Sequence, residues 1–174
     1  GKHPLDDTNV YRSQAKRGTN SFFADATAYL VLHGERFTLA VTPVTRSESL
    51  KEILQELLHV LSKMGLTIGL LLRDRGFYSV EVIRYLQQAR RPFLMPVVGH
   101  GRKADHPLGP TASNVFKAMK TRGWSTYTLE DGKKNQATVS VCVKRARHKT
   151  QHGERNRETW VYAYWGITPK RVDW

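Results

Sequence analysis

The residues best suited to chemistry lie in the segment RDRGFYS, which follows the apolar run GLLL. Asp74 stands there between Arg73 and Arg75, and Gly76 comes next. Ligands of α/β sheets collect at the carboxyl ends of parallel strands, so a carboxylate at this point is a candidate catalytic or metal-binding group. The alternative is a structural carboxylate that pairs with Arg73 or Arg75 and fixes the turn at Gly76. The local residues leave both roles open.

A second feature is the excess of positive charge. The 174 residues include 28 Lys and Arg against 15 Asp and Glu, which gives a formal charge of +13. Such a balance favours a polyanionic partner, most often nucleic acid. Arg73 and Arg75 either hold Asp74 in place or meet a phosphate. The other candidate DNA contacts are Arg12, Lys16 and Arg17 near the start, and Lys144, Arg145, Arg147, Lys149, Arg155 and Arg157 in a predicted basic turn over residues 144–158.

The elements that must hold Asp74 alternate between strands and helices. After a polar loop over residues 1–20, the pattern predicts two strands of a β-hairpin, 21–32 and 36–44. Ser49 and Glu52 predict a capping box that starts a helix, with apolar residues at helical spacing until Gly65. The nearly continuous apolar run 67–72 predicts a strand buried in a parallel sheet.

A second helix and strand follow Asp74. Ser79 is expected to cap a helix that continues to about Arg90, and residues 93–98 are expected to form another buried strand. Pro96 places that strand at an edge or at a bulge. The order β-β-α-β-α-β predicts a mixed α/β sheet covered by helices.

The last part of the chain changes in character. Residues 99–113 read as loop, and three alternating runs, 124–130, 137–143 and 158–165, predict an antiparallel meander. We therefore expect two parts, residues 1–99 and 100–174, which the family resemblance described below implies are a catalytic core and a β-rich insertion.

Several classes of protein are excluded by composition. A single cysteine, Cys142, cannot form an internal disulfide and fits a reducing compartment. No apolar run approaches the roughly 20 residues of a membrane span, and no signal peptide is expected. No CxxC, HExxH, GxSxG or Gly-rich phosphate loop occurs, and the histidines lack ligand spacing, so we predict no zinc site.

Two longer stretches resemble a known family. GKHPLDDTNVYRSQAKRGTNSFFADATAY and LLLRDRGFYSVEVIRYLQQARRPFLMPV are similar to the catalytic core of DDE transposases of the IS4-like and ISH3-like group. Its most specific parts here are DRGFYS and the R-S-x-A-K-x-G-T pattern that begins at Arg12. The resemblance extends over essentially the whole chain and implies a ribonuclease-H-like fold. It also implies that Asp74 is the second acid of a DDE triad that holds two Mg²⁺ (or Mn²⁺) ions for phosphoryl transfer on DNA.

The same resemblance implies that the other two acids lie outside the chain. By this alignment the chain starts after the strand that bears the first Asp and stops before the helix that bears the Glu. Asp6, Asp7, Glu154 and Glu158 are not assigned to the triad. We therefore expect a fragment that is inactive and poorly soluble by itself, taken from a homodimeric enzyme that acts on transposon ends and target DNA in the prokaryotic cytoplasm, at the nucleoid.

Two other functions remain open from the sequence. One is a non-catalytic nucleic-acid-binding module, in which Asp74 is structural and the basic turn binds the ligand. The other is a ribonuclease-H-like nuclease that cuts DNA without joining it.

Overall fold

A computed structural model describes residues 11–16, 19–45, 47–103, 105–119, 123–149 and 155–168. The chain has a mixed α/β architecture and divides into two compact units, Gly1–Thr67 and Ile68–Trp174. In chain order the elements are β1 (Tyr11–Lys16), β2 (Thr19–Phe22), β3 (Asp25–Leu32), β4 (Glu35–Pro43), α1 (Leu50–Lys63), β5 (Leu71–Leu72), a 3-10 turn (Arg75–Phe77), α2 (Val80–Gln88), β6 (Phe93–Pro96), α3 (Asn114–Ala118), β7 (Gly123–Glu130), β8 (Gln136–Lys149) and β9 (Arg155–Trp165).

The first unit begins with a strand pair where a loop was predicted. β1 and β2 are antiparallel, with Arg12 opposite Ser21 and Lys16 opposite Thr19. The prediction of a loop over residues 1–20 is therefore wrong for 11–16 and 19–20, and the predicted strand 21–32 is split into β2 and β3. Backbone pairing does not require an alternating apolar pattern, so two polar strands pair without the signal on which the prediction relied.

The predicted β-hairpin is confirmed in β3 and β4. Leu32 pairs with Glu35, which leaves a loop of two residues, His33 and Gly34. Both have positive φ, 51° and 85°, as a type I′ turn requires. The register shifts between Ala28 and Tyr29, which is the mark of a β-bulge.

Helix α1 follows the local signals in its sequence. The amide of Glu52 donates to Ser49 Oγ at 3.2 Å, and the amide of Ser49 donates to Glu52 Oε2 at 2.7 Å, so the predicted capping box is confirmed. After the C-cap, Gly65 takes a φ of +73° that an L side chain rarely adopts. The helix contacts β3 and β4. Its buried residues are Ile53, Leu54, Leu57, Leu58 and Leu61.

The second unit is built on a five-stranded sheet in the order β5-β6-β9-β8-β7. Only β5 and β6 are parallel, and the other neighbours are antiparallel. β5 covers Leu71–Leu72, so the predicted strand 67–72 is too long. Its partner β6 starts at Phe93, just after Pro92, and residues 67–70 therefore precede the point at which pairing begins.

The placement of β6 corrects a second prediction. β6 lies between β5 and β9, and its pairing with β9 from Phe93 to Pro96 is regular. The expected edge position or bulge at Pro96 is therefore wrong. The amides of β6 alternate between its two neighbours. Val97 donates to Val161 on the β9 side, so the nitrogen of Pro96, which has no hydrogen, faces the β5 side. β5 has ended there, so no ladder bond is lost.

The predicted meander is confirmed, but it joins the main sheet. β9 pairs with β6 on one side and with β8 on the other, so the sheet crosses the domain boundary expected at residue 99. The basic turn predicted for residues 144–158 is wrong for most of its length, because 144–149 belong to β8 and 155–158 to β9. A basic run of this kind is typical of a solvated loop, but a pair of strands also accommodates it. The short helix α3 was not predicted.

The core of this unit lies between α2 and the sheet. Ser79 caps α2 as predicted, since the amide of Val82 donates to its Oγ at 3.3 Å. Gln87 Nε2 donates to the carbonyl of Thr138 at 2.7 Å and fixes the helix against β8. The fully buried side chains of this layer are Val82, Ile83 and Leu86 from α2 and Phe93, Met95, Val139 and Val141 from the sheet.

Candidate functional site

Asp74 lies where the chain leaves the parallel strand pair. The amide of Arg73 makes the last bond of the β5 ladder, to the carbonyl of Leu94 at 3.0 Å. Asp74 then caps the 3-10 turn, and its Oδ1 accepts a hydrogen bond from the amide of Gly76 at 3.3 Å. The side chain is exposed. The structure therefore presents a carboxylate to solvent at the carboxyl end of a parallel strand.

The neighbouring arginines do not hold this carboxylate. Within the described residues no ion pair joins Asp74 to Arg73 or Arg75. The guanidinium of Arg73 lies 5.2 Å from the ring centroid of Phe77, in a cation–π contact. Arg75 is exposed. Of the two structural roles that the sequence left open for Asp74, the ion pair is not seen and the turn at Gly76 is.

The charged guanidinium of Arg73 is partly buried. Its Nε has no hydrogen-bond partner among the described residues. Burial lowers the pKa of Arg73 to about 10, an effect that the nearby Tyr85 partly offsets. Burying an incompletely paired cation costs free energy, so an anion that reached this guanidinium would recover part of that cost.

Tyr78 is a core residue beside the site, with only 7% of its surface exposed. Its hydroxyl is buried and finds no hydrogen-bond partner in the described part of the chain. Burial raises the pKa of Tyr78, and the neighbouring Tyr127 raises it further. The hydroxyl thus stays protonated and is a buried donor on a residue four positions after Asp74.

The described residues do not complete a metal site. No group of three or more His, Cys, Asp or Glu side chains in the described ranges is arranged to hold a metal ion. Asp74 offers one hard oxygen ligand of the kind that Mg²⁺ prefers. One carboxylate does not fit a two-ion site by itself, so a metal at Asp74 requires further ligands from residues outside those described.

The predicted DNA contacts fall in different places. Arg12 and Lys16 are strand residues of β1 in the first unit, and Arg17 lies outside the described residues. Lys144 and Arg145 are half-buried positions in β8. Arg147 and Lys149 continue β8, and Arg155 and Arg157 lie opposite them in β9.

Sequence reasoning missed two features of the site. The Arg73–Phe77 contact was not predicted, although an arginine four residues before an aromatic ring at a turn is the available signal. The alignment of basic residues across β8 and β9 was also missed, because it depends on the register.

In the described part of the chain, no helix has the length and apolar character needed to cross a membrane.

Comparisons with known proteins do not place the chain in a family. No family model matches it, and a search of curated proteins found no significant match.

Proposed function

We propose that the chain belongs to the catalytic core of a DDE transposase with a ribonuclease-H-like arrangement, which cleaves DNA at transposon ends and joins the ends to target DNA. The observation that carries the proposal is the position of Asp74. Its carboxylate is exposed at the carboxyl end of β5, and its only hydrogen bond among the described residues comes from the amide of Gly76.

The geometry leaves this carboxylate able to bind a cation. The bond to Gly76 is long, 3.3 Å, and engages Oδ1 only. A carboxylate has about four acceptor sites, so most of its capacity stays available. In the proposal Asp74 is one ligand of a Mg²⁺ or Mn²⁺ ion, and the other carboxylates come from residues outside those described.

The cations beside Asp74 suit a phosphate substrate. Arg73 and Arg75 flank it in sequence, and neither is neutralised by an ion pair with it. Their charge would attract the DNA backbone toward the strand end where the carboxylate lies. The net charge of +13 supports the same partner at long range.

The test is the substitution Asp74→Asn in the whole protein that the gene encodes. Asparagine keeps an Oδ1 that can accept from the Gly76 amide, so the turn should survive while the negative charge is lost. We expect DNA cleavage to fall below detection while duplex binding stays within twofold. The matched control is Asp25→Asn, which removes an exposed carboxylate from β3. Cleavage by Asp74→Asn at the wild-type rate would end the catalytic assignment.

A second candidate is a non-catalytic nucleic-acid-binding module. It is favoured by the hydrogen bond from Gly76, which gives Asp74 a structural role at the turn. In that case neither the parent nor Asp74→Asn cleaves DNA, and Asp74→Ala loses stability that Asp74→Asn retains. A nuclease that does not join strands is separated by offering pre-cleaved ends with free 3′-hydroxyl groups and looking for transfer to a second duplex.

A further inference from the structure

The five-stranded sheet has a second face, opposite to the one on which α2 and α3 pack. Tyr127 of β7 lies opposite Val139 of β8, and its ring meets the ring of Phe116 in α3 edge to face, with 5.3 Å between centroids. Val139 belongs to the core layer beneath α2. Both helices therefore lie on the core face, and within the described part of the second unit no helix covers the other face.

The register identifies the side chains on this second face, which we call the open face. Directly opposed residues of antiparallel strands share a face, as do residues two apart in one strand. Two rows of the open face cross β7, β8 and β9. The first row is Trp124, Cys142 and Tyr162, and the second row is Thr126, Ser140 and Tyr164.

The open face is more apolar than the solvent side of an antiparallel sheet usually is. Such a side normally carries polar residues, yet Trp124 is 53% exposed and Tyr162 is half-buried. Between them, Cys142 forms a buried cluster with Leu94 and Tyr164, and Tyr162 packs against that cluster. The result is a pair of aromatic rings that solvent reaches, on either side of a small apolar floor.

The two rings cover a stretch of the sheet that a flat ligand could occupy. β8 lies between β7 and β9, and neighbouring strands are about 4.8 Å apart, so Trp124 and Tyr162 start about 10 Å apart. The side chain of Cys142 between them is smaller than either ring. The hydroxyls of Thr126 and Ser140 in the next row can donate to or accept from the polar edges of a ligand that lies on the rings.

Unpaired nucleobases are the flat ligands that suit this chemistry. Bases stack on aromatic side chains of sheet surfaces, and this stacking tolerates different sequences because every base has a π-face. The net charge of +13 attracts the phosphates that accompany the bases. In a duplex the faces of the bases are hidden by their neighbours, so a single strand is required.

The charges near the open face orient such a strand. Lys144 shares the face, two residues after Cys142 in β8. Burial raises the pKa of Tyr162, and Cys142 and Glu158 raise it further, so the carboxylate of Glu158 lies near this ring. That carboxylate would repel a phosphate, and the uncharged base is therefore the part of the ligand that meets Tyr162.

We propose that the open face binds single-stranded DNA by stacking unpaired bases on Trp124 and Tyr162. This inference rests on the proposed function only in taking DNA as the ligand. It does not depend on Asp74 or on a metal.

The main experiment compares removal of the rings with their conservative replacement in the whole protein. The leucine variant is Trp124→Leu with Tyr162→Leu, which keeps apolar side chains beside the Leu94 cluster but removes both rings. The phenylalanine variant is Trp124→Phe with Tyr162→Phe, which keeps a ring at each position. Binding to an oligothymidylate of about 12 nucleotides, within the usual site size, is followed by fluorescence anisotropy in EDTA.

Stacking predicts different results for the two variants. Loss of one stacked base costs on the order of 10-fold in affinity, so the leucine variant should bind on the order of 100-fold more weakly than the wild type. The phenylalanine variant should stay within about fivefold of the wild type. Equal affinities for the wild type and the leucine variant would overturn the proposal. Equal losses in both variants would overturn it as well, because a stacking site must tolerate phenylalanine.

Two controls separate the open face from exposed aromatic residues in general and from duplex binding. Tyr29→Leu with Phe37→Leu removes two rings of similar exposure, 54% and 50%, from the hairpin of β3 and β4, and should leave binding to the oligothymidylate unchanged. The leucine variant should bind a DNA duplex within about twofold of the wild type. A loss in the hairpin variant as large as in the leucine variant, or an equal loss on the duplex, would refute the assignment.

Two further measurements test the contact and the ligand. A base that stacks on Trp124 quenches its fluorescence, so the oligothymidylate should quench the wild type more strongly than the single variant Trp124→Phe. Equal quenching in the two proteins would show that no base stacks there and would overturn the proposal. An oligouridylate of the same length should bind no more tightly than the oligothymidylate, and tighter binding would overturn the choice of DNA over RNA.

The outcome is separable from that of the proposed function. Binding in EDTA reports the open face whether or not the protein cleaves DNA. Loss of cleavage in Asp74→Asn with unchanged binding by the leucine variant would leave the transposase proposal standing and the open-face proposal refuted. The reverse pattern would retain the open face in a protein that only binds DNA.

Discussion

The hairpin of β3 and β4 should make the isolated chain self-associate. Apolar side chains are exposed on both of its faces, with Leu30 and Phe37 directly opposed at 44% and 50% exposure. The exposed apolar residues of the hairpin and its approach are Phe23, Tyr29, Leu30, Val31, Leu32, Phe37 and Val41. Several exposed apolar side chains on one hairpin of a monomer often mark a contact site or an aggregation hazard.

The strength of the association follows from these exposures. Full burial of a large apolar side chain is worth about 1.5–3 kcal/mol, so a half-exposed one still has about 1 kcal/mol to gain. Seven such residues offer roughly 7 kcal/mol per copy when both faces of the hairpin are covered, and the contributions of two copies add to about twice that. Association itself costs about 4–15 kcal/mol. With an association cost of about 7 kcal/mol, the remaining 7 kcal/mol or so corresponds to a dissociation constant on the order of 10 µM.

The perturbation is Leu30→Thr with Phe37→Thr. Threonine keeps a high β propensity, and a Thr–Thr pair across the strands is favourable, so the hairpin should remain folded. The two changes remove about 2 kcal/mol per copy, and a symmetric contact should weaken on the order of 1,000-fold. The control is Leu108→Thr, because Leu108 is 76% exposed but lies alone in a loop.

Sedimentation velocity between 1 and 100 µM measures the outcome. We expect the wild type and Leu108→Thr to form dimers or larger species over this range, and the hairpin variant to stay monomeric. A wild-type chain that is monomeric at 100 µM would refute the reasoning from exposure. A shift of less than tenfold between the wild type and the hairpin variant would place the contact elsewhere.

Two further predictions concern stability, and both are best measured by urea unfolding in the Leu30→Thr, Phe37→Thr background. Tyr78→Phe removes a buried hydroxyl that has no hydrogen-bond partner among the described residues, so the free energy of unfolding should rise by about 1 kcal/mol; a fall would show that the hydroxyl is satisfied in solution. The pKa of Glu52 is lowered, first by its hydrogen bond from the Ser49 amide and then by that from the Ser49 hydroxyl. The Glu52 carboxylate therefore stabilises the folded state fully at pH values above its ordinary pKa of 4.5, and this stabilisation is lost as the pH falls through the lowered pKa. Glu52→Gln should flatten this acid dependence and the exposed Glu56→Gln should not; the same acid profile in wild type and Glu52→Gln would contradict the assignment.

The features predicted well from the sequence are those determined by neighbouring residues. The capping box of α1 needs only Ser49 and Glu52, and the hairpin turn needs only a two-residue loop containing Gly34. The hydrogen bonds and backbone angles that stabilise these two features involve residues within a few positions of one another. The sequence pattern therefore predicts them before any tertiary contact is known. That Asp74 directly follows an apolar run is also visible in the sequence, although the residue at which β5 ends is not.

The features predicted poorly are those determined by distant partners. The length of β5 depends on where β6 begins, about 20 residues later, and the pairing of residues 144–149 with residues 155–160 depends on a register across a turn. The sequence KRARHK, residues 144–149, is compatible with either a loop or a strand. Only the register, which places Arg147 opposite Arg157, shows that this segment pairs as a strand.

The placement of Asp74 at the end of the sheet depends on one such distant residue. The last amide of β5 to join the ladder is that of Arg73, and the next donor from β6 would be residue 96. Pro96 has no amide hydrogen, so the parallel ladder has no bond to gain by continuing past Arg73. The chain instead turns at once into the 3-10 turn, which Asp74 caps through Gly76. The proline in β6 and the carboxylate that follows β5 thus act together, and the result is an exposed acid at the carboxyl end of the parallel strand pair.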